Sequence, residues 1–158
     1  MGLIRCKEEN PMNIVTSKLP LVARILLGAM FVFSGLNGFF QFMPAPPMPA
    51  AAGALLGAFG ASGYLFPLIK GTELLAGLVL LSGRFVPLAL TVLAPVLVNI
   101  VSFHAVLAPA GLPIPLVLLA AEIYLAWTHR DAFAPLFQVK TVKTDRPAID
   151  RTHLATAA

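Results

Sequence analysis

YLFPLIKGTELLAGLVLLSGRFVPLALTVLAPVLVNIVSFHAVL, residues 64–107, is a pair of apolar runs joined at Gly83 and Arg84. Each run matches the roughly 20 residues that an α-helix needs to cross a hydrocarbon core roughly 30 Å thick. The stretch therefore reads as two membrane spans, about 64–83 and 87–107, connected by a tight turn. Each opens with an early proline, Pro67 or Pro87, where a missing N–H costs nothing because first-turn N–H groups have no intrahelical partner. Pro95, inside the second run, should free the carbonyl of Thr91 and kink the rod.

Working outward, Leu19 to Met43 forms another apolar run, too long for a cleaved signal peptide, and reads as a retained span over about 19–43. PAPPMP at 44–49 cannot continue a helix. The uncharged segment 50–63 is too short to span and reads as a lid or short interfacial helix at the outer surface. PAGLPIP at 109–115 is the next loop, and a last, short span covers about 114–130, closed by His129, Arg130 and Asp131. Residues 1–18 form a polar N-terminal arm, in which Met12 is an equal candidate for the start, and residues 138–158 a flexible tail. The expected fold is an all-α integral membrane four-helix bundle over 19–137.

Composition agrees, with 58% hydrophobic and 11% charged residues and a mean hydropathy of +0.87, far from soluble averages. The net charge of +4 is concentrated at the ends and at one turn, which implies topology rather than a nucleic-acid surface, so no nucleic-acid partner is expected. With an even number of spans, Arg5, Lys7, Lys18, Arg84, Arg130, Lys140, Lys143 and Arg146 all fall on one side, which predicts both termini in the cytoplasm. Cys6 is the only cysteine, which excludes an internal disulfide or a CxxC couple within one copy.

Ionisable groups at membrane depth cost about 2.5 to 3.5 kcal/mol each on insertion scales, so each needs a partner, a cavity or a path to the interface. Arg24 reads as a residue snorkelling to the inner headgroups. Lys70 has two readings, snorkelling outward or pairing with Glu73 three residues on. Counting 1.5 Å per residue puts Asn37 roughly 7 Å, Lys70 roughly 5 Å, Asn99 roughly 4 Å and His104 roughly 11 Å outward of the midplane, with Glu73 and Glu122 near the middle. Ser34, Asn37 and Gln41 form one helical stripe, and Lys70, Glu73 and Gly77 another. If both face inward they converge on a polar pocket open to the outside, with Asn37, Gln41, Lys70, Glu73, Asn99 and His104 as ligand-binding candidates.

Competing readings stand beside this one. Asn37 and Asn99 also suit interhelical hydrogen bonding, and His104, about 140° round its helix from Asn99, suits a structural role. Gly28, Gly35, Gly38, Gly71 and Gly77 read as close-packing positions. A bis-His haem is improbable, because His104 and His129 lie near opposite faces. No metal cluster, phosphate loop or nucleophile elbow is encoded. No metal site is expected, and catalytic residues are not assigned.

From about Val22 to Phe137 the chain resembles the DoxX-like family of small four-helix bacterial membrane proteins. The resemblance is carried by RILLGAMFVFSGLNGFFQFMP, SGYLFPLIKGTELLAGLVLL, PLALTVLAPVLVNIVSFH and the closing APLF. It implies a multi-pass protein of the bacterial cytoplasmic (inner) membrane, with Asn37, Glu73, Asn99 and His104 as its motif residues. Relatives commonly carry a lysine after the asparagine of the first motif, where this chain has Gly38. Either Lys70 replaces that charge or the site is lost.

The resemblance implies a subunit or accessory of a membrane redox system, quinone- or thiol-linked, with the outer pocket holding a quinone headgroup or a similar small polar molecule. Glu73 and His104 would then hydrogen-bond or exchange protons with the ligand, Asn37 and Asn99 would position it, and Lys70 would tune Glu73. No cofactor is encoded and no self-contained redox centre is present, so the chain is at most an oxidoreductase subunit. Expected partners are the lipid bilayer, a membrane redox protein and a second copy of the chain. A small-solute transporter or exporter, and a structural partner of another membrane protein, remain as alternatives.

Overall fold

The computed structural model describes residues 11–44 and 46–137, and every regular element within them is helical. Helix α1 spans Pro11–Phe40, α2 Ala50–Ala61, α3 Leu65–Ser82, α4 Val86–Leu107, α5 Pro113–Thr128 and α6 Arg130–Phe133. Single 3-10 turns occupy Pro109–Gly111 and Ala134–Phe137. Residues 1–10 of the expected arm and the tail 138–158 lie outside the described residues. So do Arg5, Lys7, Lys140, Lys143 and Arg146, which carry much of the orientation argument.

Helix α1 is already formed at Pro11, the first described residue, well before Leu19, and it runs on through Pro20. It ends at Phe40, because Gln41 takes a left-handed backbone, φ 49°, that no helix continues. The segment expected as a lid or short interfacial helix forms helix α2, capped by Ser62, whose hydroxyl donates to the Phe59 carbonyl and accepts from the Leu65 N–H. The turn between α3 and α4 is made by Gly83 at φ 71°, whose N–H reaches the Leu80 carbonyl. A side chain there would be strained and would also collide with the Arg24 guanidinium, which lies against this turn. Helix α4 runs unbroken through Pro95.

Among the described residues three helices are long and apolar enough to cross a membrane: Lys18–Phe40 within α1, Leu65–Ser82 and Val86–Leu107. Helix α5 has 16 residues and α2 has 12. The rise of α5 is about 24 Å, short of the roughly 30 Å core.

Helices α1 and α4 each pack against both α3 and α5, and α2 lies on α3 and α4. Leu27 and Phe31 from α1, Leu80 from α3, Leu93 and Leu97 from α4 and Leu125 from α5 fill the interior and are fully buried. The outward faces are apolar too, with Leu75, Leu88, Val106 and Ile123 all exposed. An apolar exterior of this extent belongs in lipid rather than in water.

The tightest seam is α1 against α3. A Cβ added at Gly77 would stand 2.8 Å from the Val32 nitrogen and 2.9 Å from the Gly28 oxygen, and one at Gly35 would stand 2.7 Å from Leu74 Cβ. Small residues let two helix backbones approach this closely where no hydrophobic force holds them together. Gly71 is different, because a Cβ added there would meet Phe39 Cζ at an ordinary 4.0 Å.

Candidate functional site

The end of the α1–α3 seam away from the Gly83 turn carries Ser34 and Asn37 of α1 and Lys70 and Glu73 of α3. Lys70 and Glu73, three apart on α3, form an ion pair, Nζ to Oε2 2.8 Å. The Lys70 ammonium also donates to Ser34 Oγ at 3.0 Å, and the Ser34 hydroxyl donates to the same Glu73 oxygen at 2.7 Å. Ser34, Lys70 and Glu73 therefore close a three-membered network across the seam. Glu73 is 1% exposed and Lys70 19%, so the carboxylate is sealed while the ammonium end remains near the surface. The Phe66 ring, 5.9 Å from Lys70 Nζ, adds a cation–π contact. Burying two opposite charges is tolerated when extra hydrogen bonds occupy their remaining donors and acceptors, and Ser34 is that extra partner.

Gly38 explains how Lys70 fits. A Cβ at residue 38 would fall on the Lys70 stem, at its Cγ and Cδ, so the lysine side chain occupies the space that a side chain at 38 would take.

Above this network lies an open cavity of about 570 Å³. Ser34, Asn37, Gln41 and Lys70 supply its polar wall, and Met48 with Leu56 of α2 closes it from the other side. The chain reversal after α1 shapes the rim. Asn37 Oδ1 accepts the Met43 N–H at 2.8 Å, while the Gln41 N–H reaches the Asn37 carbonyl at 2.8 Å. With its oxygen engaged, Asn37 has its NH2 group to offer. An ammonium has three donors, of which Lys70 uses those on Ser34 and Glu73, leaving one for a ligand. The polar wall is thus rich in donors.

Among the sequence candidates, Asn37, Gln41 and Lys70 line this cavity, and Glu73 lies beneath it. Asn99 and His104 are elsewhere. Asn99 is exposed on α4, in a separate groove of about 260 Å³ with Phe59, Ile69 and Pro95. His104 Nδ1 lies 2.8 Å from the Ile100 carbonyl of its own helix, so that nitrogen carries the proton, and its ring packs on Gly111. Ser34, which sequence reasoning leaves out of the ligand-binding candidates although its spacing from Asn37 and Gln41 sets it on their stripe, lines the cavity with them. Among the described residues no group of three or more His, Cys, Asp or Glu could hold a metal ion.

A family model described as DoxX matches residues 19–105, more than half of the chain. No curated protein and no solved structure matches it.

Proposed function

Taking as premise that the chain belongs to the DoxX family, we propose that it is a subunit or accessory of a membrane redox system whose outer cavity holds the headgroup of a quinone or a similar carbonyl-bearing molecule. In this reading α1, α3, α4 and α5 all span the bacterial inner membrane as a four-helix bundle with both termini in the cytoplasm. The observation that carries the reading is the donor-rich wall beside a sealed carboxylate.

A quinone presents carbonyl oxygens, which accept hydrogen bonds and donate none. The spare Lys70 N–H, the Asn37 amide and Gln41 suit such a ligand, and Phe33 and Phe66 offer ring faces to its apolar body. Glu73 and Ser34 hold the ammonium in place from beneath. Because Lys70 fills the volume above Gly38, it is the residue that would supply the charge carried one position after Asn37 in relatives. Electrons would pass through a partner protein or through the ligand itself.

The transport reading has less support, because the described interior beyond Glu73 is filled by the buried apolar side chains Leu27, Phe31, Leu80 and Leu93. Native mass spectrometry of the protein gently extracted from its own membrane tests the proposal. A quinone-mass adduct on the wild type that is lost in Lys70→Leu and weakened in Glu73→Gln supports it. An adduct of unchanged occupancy in both variants removes the cavity from consideration, and an empty wild type moves the carrier and scaffold readings ahead.

A further inference from the structure

A second groove, between α4 and α5, is unrelated to the outer cavity. Its volume is about 540 Å³, and Leu90, Ala94, Leu119 and Ala126 give it apolar walls. Two polar groups interrupt those walls. Glu122 is 5% exposed, and its Oε1 is enclosed without any hydrogen-bond partner among the described residues. Thr91 lines the groove as well, and the residue four positions on is Pro95, so its carbonyl lacks the N–H that a helix would supply. The Thr91 hydroxyl offers no donor in compensation, because it donates to the Pro87 carbonyl at 2.9 Å.

Buried polar groups are almost always hydrogen-bonded, and each exception needs a physical explanation. We propose that the α4–α5 groove is a binding site for a neutral, membrane-dissolved amphiphile with a phenol-type hydroxyl head, which hydrogen-bonds the Glu122 carboxyl while its apolar body lies along the groove.

Depth selects this class of ligand. Glu122 lies roughly 2 Å from the middle of α5, counting 1.5 Å per residue. Phospholipid headgroups stay at the interface and do not reach it. A cationic head would carry its charge to the middle of the bilayer, where insertion costs about 2.5 to 3.5 kcal/mol. A neutral molecule that dissolves in the hydrocarbon escapes that cost. A phenolic hydroxyl is a stronger donor than an aliphatic one, and its flat ring suits a slot whose walls include Ala94 and Ala126. The proposal does not depend on the outer cavity holding a quinone.

The test is photolabelling of the full chain in lipid nanodiscs, using a long-chain alkylphenol with a diazirine beside the ring, and its methyl ether as the donor-less control. Peptide mapping should place the phenol on residues 90–98 and 119–133. The methyl ether, and the phenol on Glu122→Leu, should label about tenfold less, the size of one lost hydrogen bond. Glu122→Gln keeps a carbonyl acceptor and should retain most of the labelling, which separates loss of the site from loss of the fold. Equal labelling by phenol and ether, undiminished labelling of Glu122→Leu, or labels confined to residues 34–48 and 66–70 would overturn it.

Discussion

Among the described residues two glutamates are buried, and their surroundings are opposite. Glu73, on the α1–α3 seam, is held by an ammonium and a hydroxyl at 2.8 and 2.7 Å. Glu122, facing the α4–α5 groove, has an enclosed oxygen with no partner among the described residues. The seam around Glu73 is also where glycines bring two backbones together, whereas the groove beside Glu122 is wide enough to hold another molecule. Burial alone therefore does not distinguish a structural carboxylate from one available to a ligand. What distinguishes them is whether the neighbouring helix supplies a donor, and α1 supplies one through Ser34 while on α4 the Thr91 hydroxyl donates to the Pro87 carbonyl instead.

The strongest test of this contrast exchanges each glutamate for an apolar residue. Glu73→Ala leaves Lys70 facing an emptied site and should destabilise by about 3 kcal/mol, the lower end for a broken buried pair because Lys70 is partly exposed. Glu122→Leu removes an unsatisfied group and should be neutral or stabilising, since replacing a buried polar group by an apolar one of similar size relieves its desolvation cost. Unfolding of both variants in mixed micelles measures the difference. Equal losses in the two would erase the distinction drawn between them.

Packing along the seam comes next in size. Gly77→Ala sets a methyl against the Val32 nitrogen and the Gly28 oxygen, backbone atoms that cannot turn aside, and should cost about 2 kcal/mol. Gly57→Ala on α2 meets nothing within 4 Å and should stabilise by up to about 1 kcal/mol through helix propensity. The same denaturation assay reads both.

Gly38 and Lys70 compete for one volume, so their substitutions should not add. Gly38→Leu alone should destabilise by about 1 to 3 kcal/mol through overpacking, and the double variant with Lys70→Ala, which also breaks the pair with Glu73, should lose about 1 kcal/mol or more less than the sum of the two single losses. Strict additivity would mean that the two side chains do not meet.

The smallest expected effects separate Asn37 from Asn99. Asn37→Ala frees the Met43 N–H and should cost about 1 kcal/mol, with Asn37→Asp close to wild type because the acceptor oxygen is kept. Asn99→Leu, at an exposed position, should change stability by no more than about 0.5 kcal/mol.

The contrast between these asparagines also marks the limit of reading a site from depth along a helix. Counting residues places Asn37, Lys70 and Asn99 within a few ångströms of one level, but depth says nothing of azimuth between helices. Asn37 and Lys70 meet because α1 and α3 share a seam, while Asn99 is exposed on α4. His104 falls in the same half of the bundle by that count, yet it spends its Nδ1 proton on its own helix. Lys70 could be read as pairing with Glu73 or as snorkelling, since both fit an i, i+3 spacing. The choice went to the pair because Ser34 approaches across a glycine-lined contact, and no spacing within α3 encodes that.

The sequence by itself determined the helical class, the apolar runs of membrane-spanning length, the turn at Gly83 and the family, because these depend on local composition, on special backbone residues and on a collinear pattern. Tertiary structure decided which polar residues share a cavity, that Gly38 yields its space to Lys70, and that Glu73 is satisfied where Glu122 is not. Those outcomes depend on how helices distant in the chain rotate and approach one another, and that geometry is set by side-chain volumes at the contact rather than by any periodicity within one helix.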